Sequence, residues 1–437
     1  MSGRSILVPE TLNGRLFLAL SVLVAVMIIQ AILAATPALA LTESPDDTYM
    51  TNGKVYATAL SGDGNTLYIG GEFTKVNENP SGGSGISRTV SNVAAINVKT
   101  GTAIRTWRPE VTGQGAVVRS LAVKNGKVFI GGNFTAVEGK PRKNLAAVSA
   151  ITSKAVRLSP FAPRVGDATS CVYALEAGDR KLYAGGRFFK VDEVPRKNLA
   201  AFSLASGVLD PHWKPEARSS KVRALELASS RTSIFVGGPF SYITGSKGKE
   251  FARQSVARVY TATGSLHPWK IPRGTIRTTQ TAWDLKATPT RLYSGLGAKA
   301  ANYVAAFRLD RGNSGQRAWR FRTVGNVQTV ALTPDRSRLF FGGHFGINEK
   351  TQRVCNGKPL RGLASVNAAT GKIYCDWIPS LDQQRRPSYN GAWALTTTKS
   401  YLWVGGGFIG VSDSINPRPA GNGVTEATQT NLARFTL

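Results

Sequence analysis

One short stretch returns seven times along this chain: an apolar run, two glycines, any residue, then phenylalanine. It reads LYIGGEF at 67–73, VFIGGNF at 128–134, LYAGGRF at 182–188 and IFVGGPF at 234–240. It comes back degraded as LYSGLGA at 292–298, then as LFFGGHF at 339–345 and LWVGGGF at 402–408. The first glycines fall at 70, 131, 185, 237, 295, 342 and 405. That is a period of about 55 residues, close to one four-stranded unit of a β-propeller. Seven such units fill the chain from about residue 50 to its end and leave no room for a second domain.

Each unit repeats the same order of segments. A first strand such as VYATALSG (55–62) or VRSLAVKNG (118–126) leads into a tight polar turn. The diglycine strand follows; it is apolar without alternation, as expected of a strand buried on both faces. The paired glycines permit a positive φ, a bulge or a close backbone approach. A variable polar loop leads to a third strand, NVAAINV at 92–98 or NLAAFSL at 198–204. A fourth strand is expected to end in Trp-x-Pro, as at Trp107-Arg108-Pro109, Trp213-Lys214-Pro215 and Trp377-Ile378-Pro379. The fifth unit keeps Trp319 without the proline and has Leu296 between its glycines, so a local distortion is expected there. The fold class read from this pattern is all-β: a seven-bladed β-propeller of four-stranded antiparallel blades. Blades start near 54, 117, 171, 221, 281, 326 and 391 within a single domain, 41–437. The last unit stops at its third strand, NLARFTL (431–437). Residues 41–48 are expected to lie along it, because a closed ring must cover that edge.

Residues 1–40 read as a signal helix. Arg4 and Arg15 precede an uncharged apolar run from Leu16, and Ala38-Leu39-Ala40 gives a small-x-small site with cleavage between Ala40 and Leu41. An uncleaved membrane anchor is the alternative, since about twenty apolar residues can span a bilayer. Either reading makes the body secreted or cell-surface, outside the cytoplasm.

The net charge is +29, which attracts polyanions by long-range steering and counter-ion release. The densest run of cations is expected in the links between units four to six: Lys270, Arg273 and Arg277, then Arg320 and Arg322, then Arg385 and Arg386, with Trp269, Trp319 and Tyr389 nearby. Arginine forks suit phosphate and carboxylate oxygens, and aromatic faces suit sugar rings or bases. The rival reading is a solvated basic rim whose tryptophans belong to the core. The chain has three histidines, and its acidic residues look scattered singly, so neither a catalytic pair nor a metal or cofactor site is evident. His212 and His267 each lie within two residues of a tryptophan, which points to packing. Cys355 and Cys375 are candidates for a disulfide, with Cys171 then a buried free thiol.

Taken together, the LYIGG-x-F strand, the Arg-x-Asn-Leu-Ala-Ala third strand (Arg142 to Ala147, Arg196 to Ala201) and the Trp-x-Pro ending resemble the delta-60 repeat family of secreted bacterial β-propeller proteins. The units are more distantly similar to repeats of cortical cell-polarity marker proteins and to kelch repeats. The resemblance implies an extracellular or cell-surface propeller and supplies no catalytic residues. The expected function is a non-catalytic binding or scaffolding module at the cell envelope, engaging an anionic cell-wall polymer, an acidic polysaccharide or a protein partner. The alternatives are a polysaccharide hydrolase or lyase, favoured by carboxylates clustered in the central funnel, and a nonspecific extracellular nucleic-acid binder.

Overall fold

Seven antiparallel sheets carry the repeats, one for each diglycine. A computed structural model of the chain describes residues 41–78, 86–150, 156–218, 220–277, 279–298, 301–346, 352–382, 390–412 and 429–437. Among the described residues there is no helix, and none that could cross a membrane. The expected signal helix, or its alternative as a membrane anchor, lies outside them, as do Ala40, Arg385, Arg386 and Tyr389.

Sheet one pairs Val55–Leu60, Thr66–Gly71 and Val93–Asn97 in that order. Sheet two repeats it with Val117–Lys124, Lys127–Asn133 and Leu145–Ser149. The first strands of sheets three to seven are Cys171–Ala177, Ala224–Leu227, Thr281–Ala287, Val327–Leu332 and Gly391–Thr397. The diglycine strand is central in every sheet, and the buried clusters lie between neighbouring sheets. One cluster joins Val55, Leu67 and Ile69 of sheet one to Trp403 and Leu432 of sheet seven. Thr58 and Thr396 share a 2.7 Å hydroxyl hydrogen bond across the same junction.

Both glycines serve close approach rather than positive φ. A Cβ on Gly70 would strike Val118 of the next sheet, and one on Gly405 would strike Val55 of sheet one. A Cβ on the second glycine, as at Gly132, would run into the backbone carbonyl of Val117 in its own first strand. Opposite the diglycine the first strand carries an extra, unpaired residue: the register shifts between Val55 and Ala57, and again at the equivalent place in five other sheets. Such a bulge turns one side chain out of the ladder.

The expectation of four strands per unit is corrected. Among the described residues only sheet five has a fourth, Arg317–Thr323. In sheets one to four and six the fourth segment is a single bridge, such as Ile96 with Ala103 or Phe202 with Leu209. Proline cannot donate to a ladder, and the tryptophan side chain does the joining instead. The Trp107 indole donates to the Ser149 carbonyl at 2.8 Å, Trp213 to Tyr260 at 3.1 Å and Trp319 to Ala368 at 3.0 Å, each reaching the next unit. Sheet five keeps its strand because RAWRFRT alternates with period two and contains no proline. The distortion expected there does not fall at Leu296, which is buried and pairs with Ala282 and Tyr303; the sheet's register shifts instead between Ala306 and Phe307.

The Asn of the third-strand motif explains itself in the same way. Asn144 and Asn198 have φ of 63° and 67°, a conformation asparagine tolerates. Their amides donate to carbonyls of the link leading onward, Val165 at 2.7 Å and Ala217 at 2.8 Å. Asn431 of sheet seven does so to Thr51, near the N-terminus, at 2.9 Å. Trp377 likewise donates to the Thr42 carbonyl at 3.1 Å. Asp46 bridges Arg434 of the last strand, with a 2.8 Å ion pair between their side chains. Residues 42–51 thus give sheet seven the contact with its Asn that the following link gives sheets one to three.

Candidate functional site

The links and the long second-to-third loops meet in small accessory sheets. Val111–Thr112 pairs with Ala136–Val137, Glu216–Arg218 with Tyr242–Thr244, and Ser380–Asp382 with Gly410–Ser412. Links and long loops therefore share one end of their sheets, where variable sequence is presented on a fixed support.

The loop carrying Lys270, Arg273 and Arg277 is laid against sheet five. Lys270 exchanges backbone hydrogen bonds with Asn313 and Gly315 at 3.0 and 2.8 Å. The Thr275 carbonyl accepts from the Arg317 guanidinium and the Tyr303 hydroxyl, each at 3.3 Å. The Arg277 N–H donates to Gln280 Oε1 at 2.8 Å. Arg320 and Arg322 are not in a link, as the sequence suggested; they alternate outward on the fourth strand, with Trp319 and Phe321 turned inward. Arg320 is held below its ordinary pKa by partial desolvation and by the charges of Arg317 and Arg322. Two segments far apart in spacing are thus brought to one edge of one sheet. The five predicted cations among the described residues are exposed, and none forms an ion pair with a described carboxylate. Trp269 is fully buried with its indole on the Arg308 carbonyl, so it is core. Arg142 and Arg196 are scaffold: their guanidiniums donate to carbonyls of Pro141 and Ser159, and of Pro195 and Asp210. A second basic hollow of about 420 Å³ lies at sheet one, lined in part by Arg88, Arg105 and Arg108.

Sequence reading missed a group of carboxylates on the first strands. Glu176, Glu226 and Lys286 pair with Tyr183, Phe235 and Tyr293, so they hold one position in three consecutive sheets. Lys286 Nζ lies 3.2 Å from Glu226 Oε2, and Glu226 Oε1 accepts the Ala287 N–H at 3.0 Å. Asp284 accepts from the Thr329 hydroxyl at 3.1 Å and the Val330 N–H at 2.9 Å. Lys286 stays charged because the Glu226 carboxylate holds its proton on. One ammonium cannot serve two glutamates, so Glu176 keeps its proton: burial first, then the Glu226 charge, pushes it up to about 8. Aligning the seven units would have placed these residues together; reading acids singly could not.

This has a consequence for pH. An unfolded glutamate loses its proton near pH 4.5, and folded Glu176 near 8. In that window the folded chain binds the extra proton, so stability falls as pH rises and levels off above it. Thermal unfolding of Glu176→Gln should show a flatter profile between about pH 4.5 and 8 than the parent chain, with a higher midpoint at the alkaline end. Superimposable profiles would reject the assignment.

Cys355 and Cys375 are bonded, their Cα atoms 5.4 Å apart. The small hairpin Arg353–Val354 with Lys358–Pro359 folds Cys355 back over the strand end. Cys171 is a buried thiol, pushed up to about 11 by burial. His267 stacks on Tyr260 and accepts the Trp269 N–H, and burial lowers it to about 4. His212 is exposed rather than packed. Among the described residues no three His, Cys, Asp or Glu side chains gather as a metal-ligand set. No protein-family model matches the chain, and no curated protein matches it significantly.

Proposed function

We propose that the chain is an exported, non-catalytic binding module: a closed seven-bladed propeller of delta-60-type repeats whose basic loop end engages an anionic polymer of the cell envelope. The ring reading is supported by residues 42–51, which bond the last unit at Asn431 and Arg434 and the sixth unit at Trp377. One observation carries the binding reading. Lys270, Arg273, Arg277, Arg320 and Arg322 converge on one edge of sheet five with no carboxylate partner among the described residues. Fixed cations of one sign, spaced along a rigid edge, suit a repeating polyanion better than a single small anion. Cations on an exposed edge strand also discourage edge-to-edge pairing, which is the competing explanation.

The test is co-sedimentation with isolated cell-wall material across a salt series, beside DNA and a neutral glycan. Replacing all five cations with alanine should weaken wall binding about tenfold or more and flatten its salt dependence, at unchanged thermal stability. Unchanged wall binding in that variant would reject the site. Binding released from wall and DNA at the same salt would favour the nonspecific nucleic-acid reading.

A second reading, a hydrolase or lyase acting on polysaccharide, is favoured by Glu176 and Glu226, which hold one position in neighbouring sheets and are both raised by burial, Glu176 to about 8. It predicts release of reducing ends from an acidic polysaccharide, abolished in Glu176→Gln and in Glu226→Gln. No release by the parent chain would dismiss it.

A further inference from the structure

The unpaired residues of the first-strand bulges form a group of their own. In sheets one to seven they are Tyr56, Arg119, Tyr173, Arg223, Trp283, Gln328 and Trp393, Arg223 standing just before the paired Ala224. All but Gln328 touch in a continuous chain. The Arg119 guanidinium lies 3.7 Å from the Tyr56 ring centre, and Tyr56 meets Trp393 edge-on at 5.4 Å. Trp393 meets Trp283 at 5.9 Å. Arg223 lies between Trp283 and Tyr173, at 4.8 and 4.3 Å. Residues from sheets one, two, three, four, five and seven therefore touch one another, which only side chains pointing toward a common centre can do.

The group is basic. Lys221 is held below its ordinary pKa by burial, then by Arg223 and Arg187. The Cys171 thiol beside them stays neutral, feeling Arg119, Arg223 and Arg187. Of the carboxylates that border the group, Glu72 is tied to Lys54 at 3.4 Å and to Tyr56, and Asp284, next to Trp283, accepts from Thr329 and Val330. Arg119, Tyr173, Arg223, Trp283 and Trp393 are only partly buried, so solvent reaches them. Yet the Trp283 indole N–H, and both amide atoms of Gln328 in a side chain 4% exposed, have no hydrogen-bond partner among the described residues. A buried donor or acceptor left unsatisfied carries its full desolvation penalty. Cations at close quarters, unsatisfied polar groups and bulges that aim side chains at one point are features of a ligand site rather than of a core.

We infer that the bulge residues form an axial binding site for a carboxylate-bearing sugar unit, the end or a single residue of an acidic polysaccharide. The Arg119 guanidinium, stacked on Tyr56 and bonded to its hydroxyl, has further in-plane N–H groups with the fork geometry that suits a planar carboxylate. The indoles of Trp283 and Trp393 offer apolar surface to a pyranose face, and Gln328 and the Trp283 N–H offer polar contacts to hydroxyls. The ligand class rests on the anionic-polymer reading; the location does not.

The experiment measures tryptophan fluorescence and calorimetry of the purified full chain titrated with a galacturonate trimer, a neutral glucose trimer and adenosine monophosphate. The galacturonate trimer should saturate a site, and the neutral trimer should not. Arg119→Lys, which keeps the charge and loses the fork, should weaken the trimer about tenfold. Trp283→Leu should do the same and remove most of the fluorescence change. Alanine at Arg320 and Arg322 should leave trimer binding intact, so loss of polymer binding in that variant and loss of trimer binding here are separate results. No saturable trimer binding by the parent chain, tighter binding of the nucleotide, or full affinity in both Arg119→Lys and Trp283→Leu would overturn the site.

Discussion

Gly132→Ala should destabilise the chain by about 3 kcal/mol or more, the largest single-residue effect expected here. The new methyl would collide with the Val117 carbonyl oxygen and would lie 3.0 Å from its carbon and 3.1 Å from Val118 Cα. These are backbone atoms of the paired strand at its register shift, and no side-chain rotation can relieve the contact. The strands must separate, and the packing of Val118 against Gly70 of sheet one would separate with them. Gly62→Ala is the matched control: nothing lies within 4 Å of its Cβ position and its φ is not left-handed. It should change stability by no more than about 0.5 kcal/mol. Urea unfolding of both variants checks the pair. A loss under about 1 kcal/mol at Gly132 would mean the ladder can shift where it is drawn rigid.

Starting the chain at Tyr49 instead of Leu41 should cost about 3–5 kcal/mol, judged against buried ion-pair breakage and lost hydrogen bonds. The segment removed holds three separate points of sheets six and seven. Thr42 accepts the indole N–H of the fully buried Trp377. Glu43 accepts the Ile378 N–H at 2.9 Å and pairs with Lys358 at 3.1 Å. Asp46 pairs with Arg434, whose side chain is only 10% exposed and would keep its charge without its carboxylate. Arg434 would retain the carbonyls of Val98 and Lys99, which tempers the loss. Asp46→Ala alone should therefore cost less than the truncation. Equal thermal midpoints for the two chain lengths would show that residues 41–48 are passengers.

The strand order was legible because it rests on local chemistry. An apolar run without alternation, ended by two glycines and bounded by polar turns, has few ways to be buried other than centrally in a sheet. The fourth strand was over-read because Trp-x-Pro marks a contact that recurs from unit to unit without marking which atoms make it; the indole, not the backbone, crosses to the next unit. Lys270 and Arg320 were found as cations in the chain, but their meeting at one edge depends on where the loop 270–277 lands.

By itself the sequence determined the all-β class, the repeat, the central place of the diglycine strand and the excess of positive charge, all properties of composition and short-range pattern. Tertiary structure alone decided which residues from different units meet. Glu176, Glu226 and Lys286 occupy one strand position in successive sheets. Arg119 reaches Tyr56, and Arg223 reaches Trp283, across sheet boundaries. Those contacts join residues some 50 or more positions apart in the chain, and their energies depend on distance and burial, which no local pattern encodes.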